Sequence, residues 1–223
     1  MHETGDLKRR QKLHGDCRMV GSLLLAVGTG LAAIILLTVG ASPAAAGAAS
    51  DSVRSTINEV IGILENQELK KPERAEERRR LLEKTIGARF NYEEMAKRTL
   101  GAHWAKLNDA ERREFVELFT SLLSNTYADK ITGYSGEQVQ YLNERLEGDY
   151  AEVRTKSVSG KAEIPLDYRL LKQSGDWRVY DVIVDGVSLV NNYRGQFTKI
   201  LRTSSFADLL EQLRKKSDKI KSP

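Results

Sequence analysis

The segment WRVYDVIVDGVSLVNNYRGQFTKILRTSSF (177–206) changes its apolar period from that of a strand to that of a helix within a few residues. Trp177 and Val179, then Tyr180, Val182 and Val184, alternate as a strand does, and Gly186 breaks the run. After Ser188 the residues Leu189, Val190, Tyr193, Phe197, Ile200 and Leu201 recur at helical spacing and form one apolar stripe. A strand that feeds directly into such a helix lets the helix fold back over the sheet. The two apolar faces then build a wall that excludes water. No catalytic constellation lies within the segment.

Three further strand-like segments precede this one, each closed by a turn signal. Val139–Glu147 ends in Gly148-Asp149, Tyr150–Val158 in Ser159-Gly160, and Ala162–Lys172 in Ser174-Gly175-Asp176. Short loops between consecutive strands require antiparallel neighbours. In the second strand Ala151, Val153 and Thr155 oppose Glu152, Arg154 and Lys156. In the third, Ile164, Leu166, Tyr168 and Leu170 oppose Glu163, Asp167 and Arg169. Both strands therefore have one dry face and one wet face.

Helical periodicity dominates the rest. Val53, Ile57, Val60, Ile61 and Leu64 predict a helix over 51–69, and Lys70-Lys71-Pro72 interrupts it. The charged run 73–88 reads as a helix with Leu81, Leu82 and Ile86 inward. Its charges form a solvated surface, with Glu73–Lys84 a candidate docking face. Asn91 caps a short helix carrying Met95, Ala96 and Leu100, and Asn108-Asp109 caps the longest, 109–131. Phe115, Leu118, Phe119, Leu122, Leu123, Tyr127 and Ile131 give that helix a broad apolar stripe. Helices over 188–202 and 205–219 complete the chain. Helices first, a four-stranded meander next and helices last predict an α+β domain, with helices packed on one face of a curled antiparallel sheet.

The N-terminal region reads as an address label. Lys8, Arg9, Arg10, Lys12 and Arg18 precede an apolar run from Met19 to Gly40, and small residues from Ala41 to Ser50 follow. A basic region, an apolar region and a small-residue cleavage site make residues 1–48 a secretory signal peptide, with an uncleaved inner-membrane anchor as the alternative. The domain proper then covers 49–223. Of 35 basic and 31 acidic residues, five basic and three acidic ones belong to the leader. The remainder carries a net charge of about +2, too small a field to favour nucleic acid or acidic lipid. Cys17, the only cysteine, also lies in the leader, so the core must be stable without disulfides. His103 alone remains of three histidines. Cys/His metal sites and Cys–His nucleophile pairs are thereby excluded.

Weak candidates for chemistry remain. Asp181 and Asp185 could form an acid–base pair if buried, or sit on the solvated strand face beside basic neighbours. Arg194 could meet a phosphate or bridge to one of those aspartates. His103 has no evident nucleophile beside it. No Gly-rich phosphate loop, G-x-S-x-G or H-E-x-x-H motif occurs.

The strings YSGEQVQY (134–141), IPLDYRLL (164–171), WRVYDVIVDGVSLVNNYRGQF (177–197) and ILRTSSFADLLEQLR (200–214) resemble the MlaC family, also called toluene-tolerance Ttg2D-like proteins. FNYEEMAKRTLGAHWAKL (90–107) and ERREFVELFTSLLSNTYADKI (111–131) are similar to it in the same order. The resemblance covers about residues 51–218. It implies a periplasmic phospholipid carrier, not an enzyme, with a cone of NTF2-like or cystatin-like type, acyl chains in a pocket between sheet and helices and the head group largely exposed. Weak head-group selectivity follows from that exposure. The implied partners are phospholipid as cargo, an inner-membrane ABC transporter complex and an outer-membrane lipoprotein–porin complex. It also implies a monomer that needs no cofactor or metal and binds no nucleic acid. The expected pocket lining is Ile164, Leu166, Tyr168, Leu170, Tyr180, Val182 and Val184 from the sheet. Phe119, Leu122, Leu123, Tyr127, Val190, Tyr193 and Phe197 face them from the helices. Two alternatives stand beside the carrier: a small enzyme of NTF2-like fold using Asp181 and Asp185, and a ligand-free adaptor whose core is filled.

Overall fold

A computed structural model describes residues 47–160 and 162–221. The readings of the leader up to residue 46 lie outside the described residues. Six α-helices and five strands follow in the order α1 (Ala48–Glu65), α2 (Ala75–Arg89), α3 (Tyr92–Leu100), α4 (Asp109–Thr132), β1 (Gln138–Glu147), β2 (Tyr150–Ser159), β3 (Ala162–Gln173), β4 (Asp176–Val184), β5 (Val187–Ser188), α5 (Leu189–Leu201) and α6 (Phe206–Lys221). The strands form one antiparallel sheet in sequence order, so the expected four-stranded meander gains a short fifth strand. The β4–β5 loop is Asp185-Gly186, with positive φ at both residues (48° and 78°). That conformation suits a two-residue hairpin because its twist matches the strands it joins.

Helix starts follow local chemistry. The Asn91 side chain accepts from Glu94 N at 2.9 Å. Asn108 and Glu111 form a reciprocal capping box, at 3.0 and 2.9 Å. Ser188 Oγ accepts from Asn191 N at 3.0 Å and Ser205 Oγ from Asp208 N at 3.1 Å. At the N-terminus of α1 the cap comes from another element. The Glu144 carboxylate on β1 accepts from Gly47 N at 2.9 Å and Ser50 N at 2.7 Å, placing negative charge where the helix dipole favours it.

Two interruptions of the sheet ladder decide which side chains face inward. The register slips at Leu142 on β1 and at Tyr180 on β4. Each bulge inserts one residue and flips the alternation beyond it. On β1 the slip leaves Leu142 exposed and turns Glu144 inward to reach α1. On β4 it lets Val179, Val182 and Val184 share the inner face, paired with Leu170, Tyr168 and Leu166.

Buried side chains form two clusters. Phe115, Phe119, Leu122, Val190, Tyr193, Phe197, Leu209 and Leu213 make a helical core of α3 to α6. Val53, Ala151, Val153, Leu170, Trp177, Val179 and Val182 form the second, where α1 covers the sheet. Among the described residues no helix is long and apolar enough to cross a membrane.

Candidate functional site

Between α1, α2, the C-terminal half of α4 and the inner face of the sheet lies an open cavity of about 530 Å³. That volume falls in the ~300–1,000 Å³ range of ligand sites. Its floor is Val139, Ser157, Ile164, Leu166, Tyr168, Val179, Val182 and Val184. Leu123, Tyr127 and Ile131 of α4 form one wall. The roof is a helical hairpin: Val53, Ile57, Val60, Ile61 and Leu64 of α1 beside Leu82 and Ile86 of α2. The stretch of α1 from Val53 to Leu64 spans about 16 Å at a helical rise of ~1.5 Å per residue.

The cavity has two distinguishable ends. At one, Arg89 donates to Thr56 Oγ1 (3.0 Å), Asp176 Oδ1 (2.8 Å) and the Trp177 carbonyl (2.8 Å), tying α2 to α1 and β4. At the other, the Tyr134 hydroxyl donates to Glu65 Oε1 at 3.5 Å, bringing the approach to β1 beside the end of α1. Lys130 and Glu137 flank Tyr134 in the chain and line the cavity with it. Ile164, in register with Ser157 and Val139 just beyond Glu137, is 49 % exposed, so the cavity meets solvent on this side. Arg79 and Glu83 line it from α2. Burial pushes the Tyr92 phenol up to about 12 and raises that of Tyr168 further. Both line the cavity and stay neutral over the physiological range, so its interior presents hydrocarbon and uncharged hydroxyls. Such a lining suits a long apolar ligand and offers no nucleophile–base pair.

Of the fourteen residues expected from sequence, the structure brings Leu123, Tyr127, Ile164, Leu166, Tyr168, Val182 and Val184 together around the cavity. Phe119, Leu122, Val190, Tyr193 and Phe197 belong to the helical core instead. Leu170 is fully buried where α1 meets the sheet. Tyr180, the inserted residue of the β4 bulge, stands away from the cavity. Its ring meets Tyr150 edge-on at 6.0 Å, with the Arg98 guanidinium 4.1 Å from its centre. The roof from α1 and α2 was not among the expected lining. Its apolar stripes were visible as helix faces, but nothing in them marks what they cover.

Asp181 is not on a solvated face. It is 2 % exposed and accepts from Ser188 Oγ at 2.6 Å and Val190 N at 3.0 Å, with Arg169 Nη1 3.5 Å away. The bulge before it turns it from the cavity toward the first turn of α5, where a carboxylate satisfies free N–H groups and complements the dipole. Asp185 is exposed on the β4–β5 turn, so the two aspartates do not form a pair. Arg194 meets neither of them. Its guanidinium lies beside Gly101, 3.3 Å from where a Cβ would stand, and Gly101 has φ 55°. Asp181→Ala leaves buried donors unpaired and should cost about 1–3 kcal/mol. Urea unfolding of the variant checks this. Among the described residues no cluster of three or more His, Cys, Asp or Glu could hold a metal ion.

Fold and site together define an α+β domain with a helical hairpin roofing an open apolar cavity. The family model described as MlaC protein matches residues 54–215, and the chain belongs to that family. It is similar to the intermembrane phospholipid transport system binding protein MlaC of Haemophilus influenzae, at 25% identity over 129 residues. That alignment takes in 55% of this chain and spans 60% of the relative's length. The fold matches that of a phospholipid-binding protein from Ralstonia solanacearum, solved in complex with a phospholipid. The TM-score is 0.68 at 22% identity, over 77% of this chain and 98% of that one.

Proposed function

We propose that this protein is a periplasmic phospholipid carrier that holds acyl chains in the cavity between the α1–α2 roof and the sheet. The observation that carries the reading is an open cavity of about 530 Å³, lined mainly by apolar side chains and roofed by the α1–α2 hairpin. Transfer of a tail from water is worth about 0.8 kcal/mol for each CH2 buried, so two tails supply ample driving force without specific polar contacts. The names of the related proteins point the same way. The carrier works as a monomer between an outer-membrane lipoprotein–porin complex and an inner-membrane ABC transporter complex, with lipid as cargo and no cofactor. An enzyme of similar architecture would need an acid–base pair in the cavity. Asp181 is committed to α5 and Asp185 is exposed, which favours the carrier.

Native mass spectrometry of protein purified without detergent tests the proposal. One phospholipid per chain is expected. An empty chain that takes up no lipid from vesicles would overturn the reading and favour an adaptor.

A further inference from the structure

The charges around the open end of the cavity are not all neutralised. Arg79 is paired with Glu76 and Glu83, each at 3.2 Å. Arg89, at the far end, is held by Asp176 at 2.8 Å. Lys130 and Glu137 also line the cavity, yet neither has an ion-pair partner within 4.0 Å among the described residues, including each other. Lys130 sits in the last turn of α4. The Glu137 carboxylate is fixed by Ser135, whose N–H and Oγ donate at 2.9 and 2.8 Å. Those two donors favour its charged form. Among the described residues the rim thus presents one unmatched negative group held in position and, from α4, one unmatched positive group on an exposed side chain, both beside an apolar interior.

Resting on the carrier reading, we infer that this rim reads the head group, Lys130 meeting the phosphate and Glu137 the ammonium of a zwitterionic phospholipid. An amphiphile whose tails fill the cavity must leave its phosphate at the open end, which is where Lys130 stands. A head group that carries an ammonium beyond the phosphate finds a carboxylate there. A head group ending in hydroxyls finds the same carboxylate without a matching charge, and its net negative charge is opposed by Glu137. Lys130 therefore contributes to binding of every phospholipid, whereas Glu137 discriminates between classes. Selectivity is modest but real, against the indifference expected of a solvent-exposed head group. Both groups face water, where a single ion pair is worth no more than about a fivefold preference.

The test uses purified protein stripped of lipid and then incubated with vesicles of phosphatidylethanolamine and phosphatidylglycerol in equal amounts with identical tails. Mass spectrometry reads the ratio of the two bound lipids within each sample, so differences in total uptake do not enter it. The wild-type protein should enrich phosphatidylethanolamine by about two- to fivefold. Glu137→Gln should bring the ratio to one and Glu137→Lys should invert it. Lys130→Gln should weaken capture of both lipids and leave the ratio standing. Equal uptake by the wild type, or an unchanged ratio in both Glu137 variants, overturns the assignment of the rim while the carrier stands. A wild-type protein that takes up neither lipid overturns the carrier reading and the rim with it.

Discussion

Leu123→Arg is expected to empty the protein: lipid recovered per chain should fall more than about tenfold, because a guanidinium in the cavity wall must either lose its hydration or hold water where tails belong. Leu123 is 6 % exposed and meets the cavity from α4, opposite the sheet floor. The cost of burying an unpaired charge exceeds what a few methylene contacts return, so bound lipid is displaced in preference to the arginine being accommodated. The substitution also stresses the helical core, since Leu123 belongs to both environments. Ile61→Arg separates the two effects. Ile61 lines the roof yet is only half-buried, so an arginine there can extend its head to water while its stem crosses the cavity. That variant should fold as the wild type does and still lose most of its lipid. Wild-type lipid content in folded Ile61→Arg would show that tails lie elsewhere.

Much of this architecture is legible in the residues, and the exceptions have identifiable causes. Asn91, Asn108, Ser188 and Ser205 announce helix starts because each side chain can satisfy a free N–H within its own next turn. Short loops such as Gly148-Asp149 announce hairpins because few residues other than glycine tolerate positive φ, whereas the Asp185-Gly186 hairpin returns into a strand of only two residues, too short to show as alternation. The bulges are harder. Along β4 the apolar positions change phase from Trp177 and Val179 to Tyr180, Val182 and Val184, which is the trace of one inserted residue. Simple alternation assigns Tyr180 to the inner face and Asp181 to water. The bulge reverses only the first, giving the inner position to Val179. Asp181 keeps the face opposite Val182, but α5 covers that face and takes its carboxylate at Ser188 and Val190. Capping across elements is equally silent: Glu144 serves a helix whose start lies 94 to 97 residues away in the chain.

Cavity and core cannot be told apart from periodicity, since one helical stripe supplies both. Phe119 and Leu123 are adjacent on a face of α4. Phe119 is fully buried among aromatic rings, with centroids 5.9 Å from Phe115, 5.4 Å from Tyr193 and 6.0 Å from Phe197. One turn later the same stripe opens on space. What differs is the partner across the gap, a second helix in one case and a sheet held off by α1 in the other.

That difference has a measurable consequence, and it is largest at Phe119. Phe119→Ala removes a ring packed on every side and should destabilise the protein by about 3–5 kcal/mol, since the surrounding rings can close the hole only in part. Edge-to-face contacts with Tyr193 and Phe197 are lost as well. The loss should be nearly the same in lipid-free and lipid-loaded protein, because nothing bound in the cavity touches that ring. A cavity residue behaves in the opposite way. Val182→Ala removes atoms that face empty space in the stripped protein, so its cost there should be well below that of Phe119→Ala. When lipid is present the tails lose a contact, and the cost should grow. Denaturant unfolding of both variants, each with and without lipid, reads the comparison. If Phe119→Ala is cheap in the stripped protein and expensive only in the loaded one, the aromatic cluster is part of the lipid site and the division between the two clusters is drawn in the wrong place.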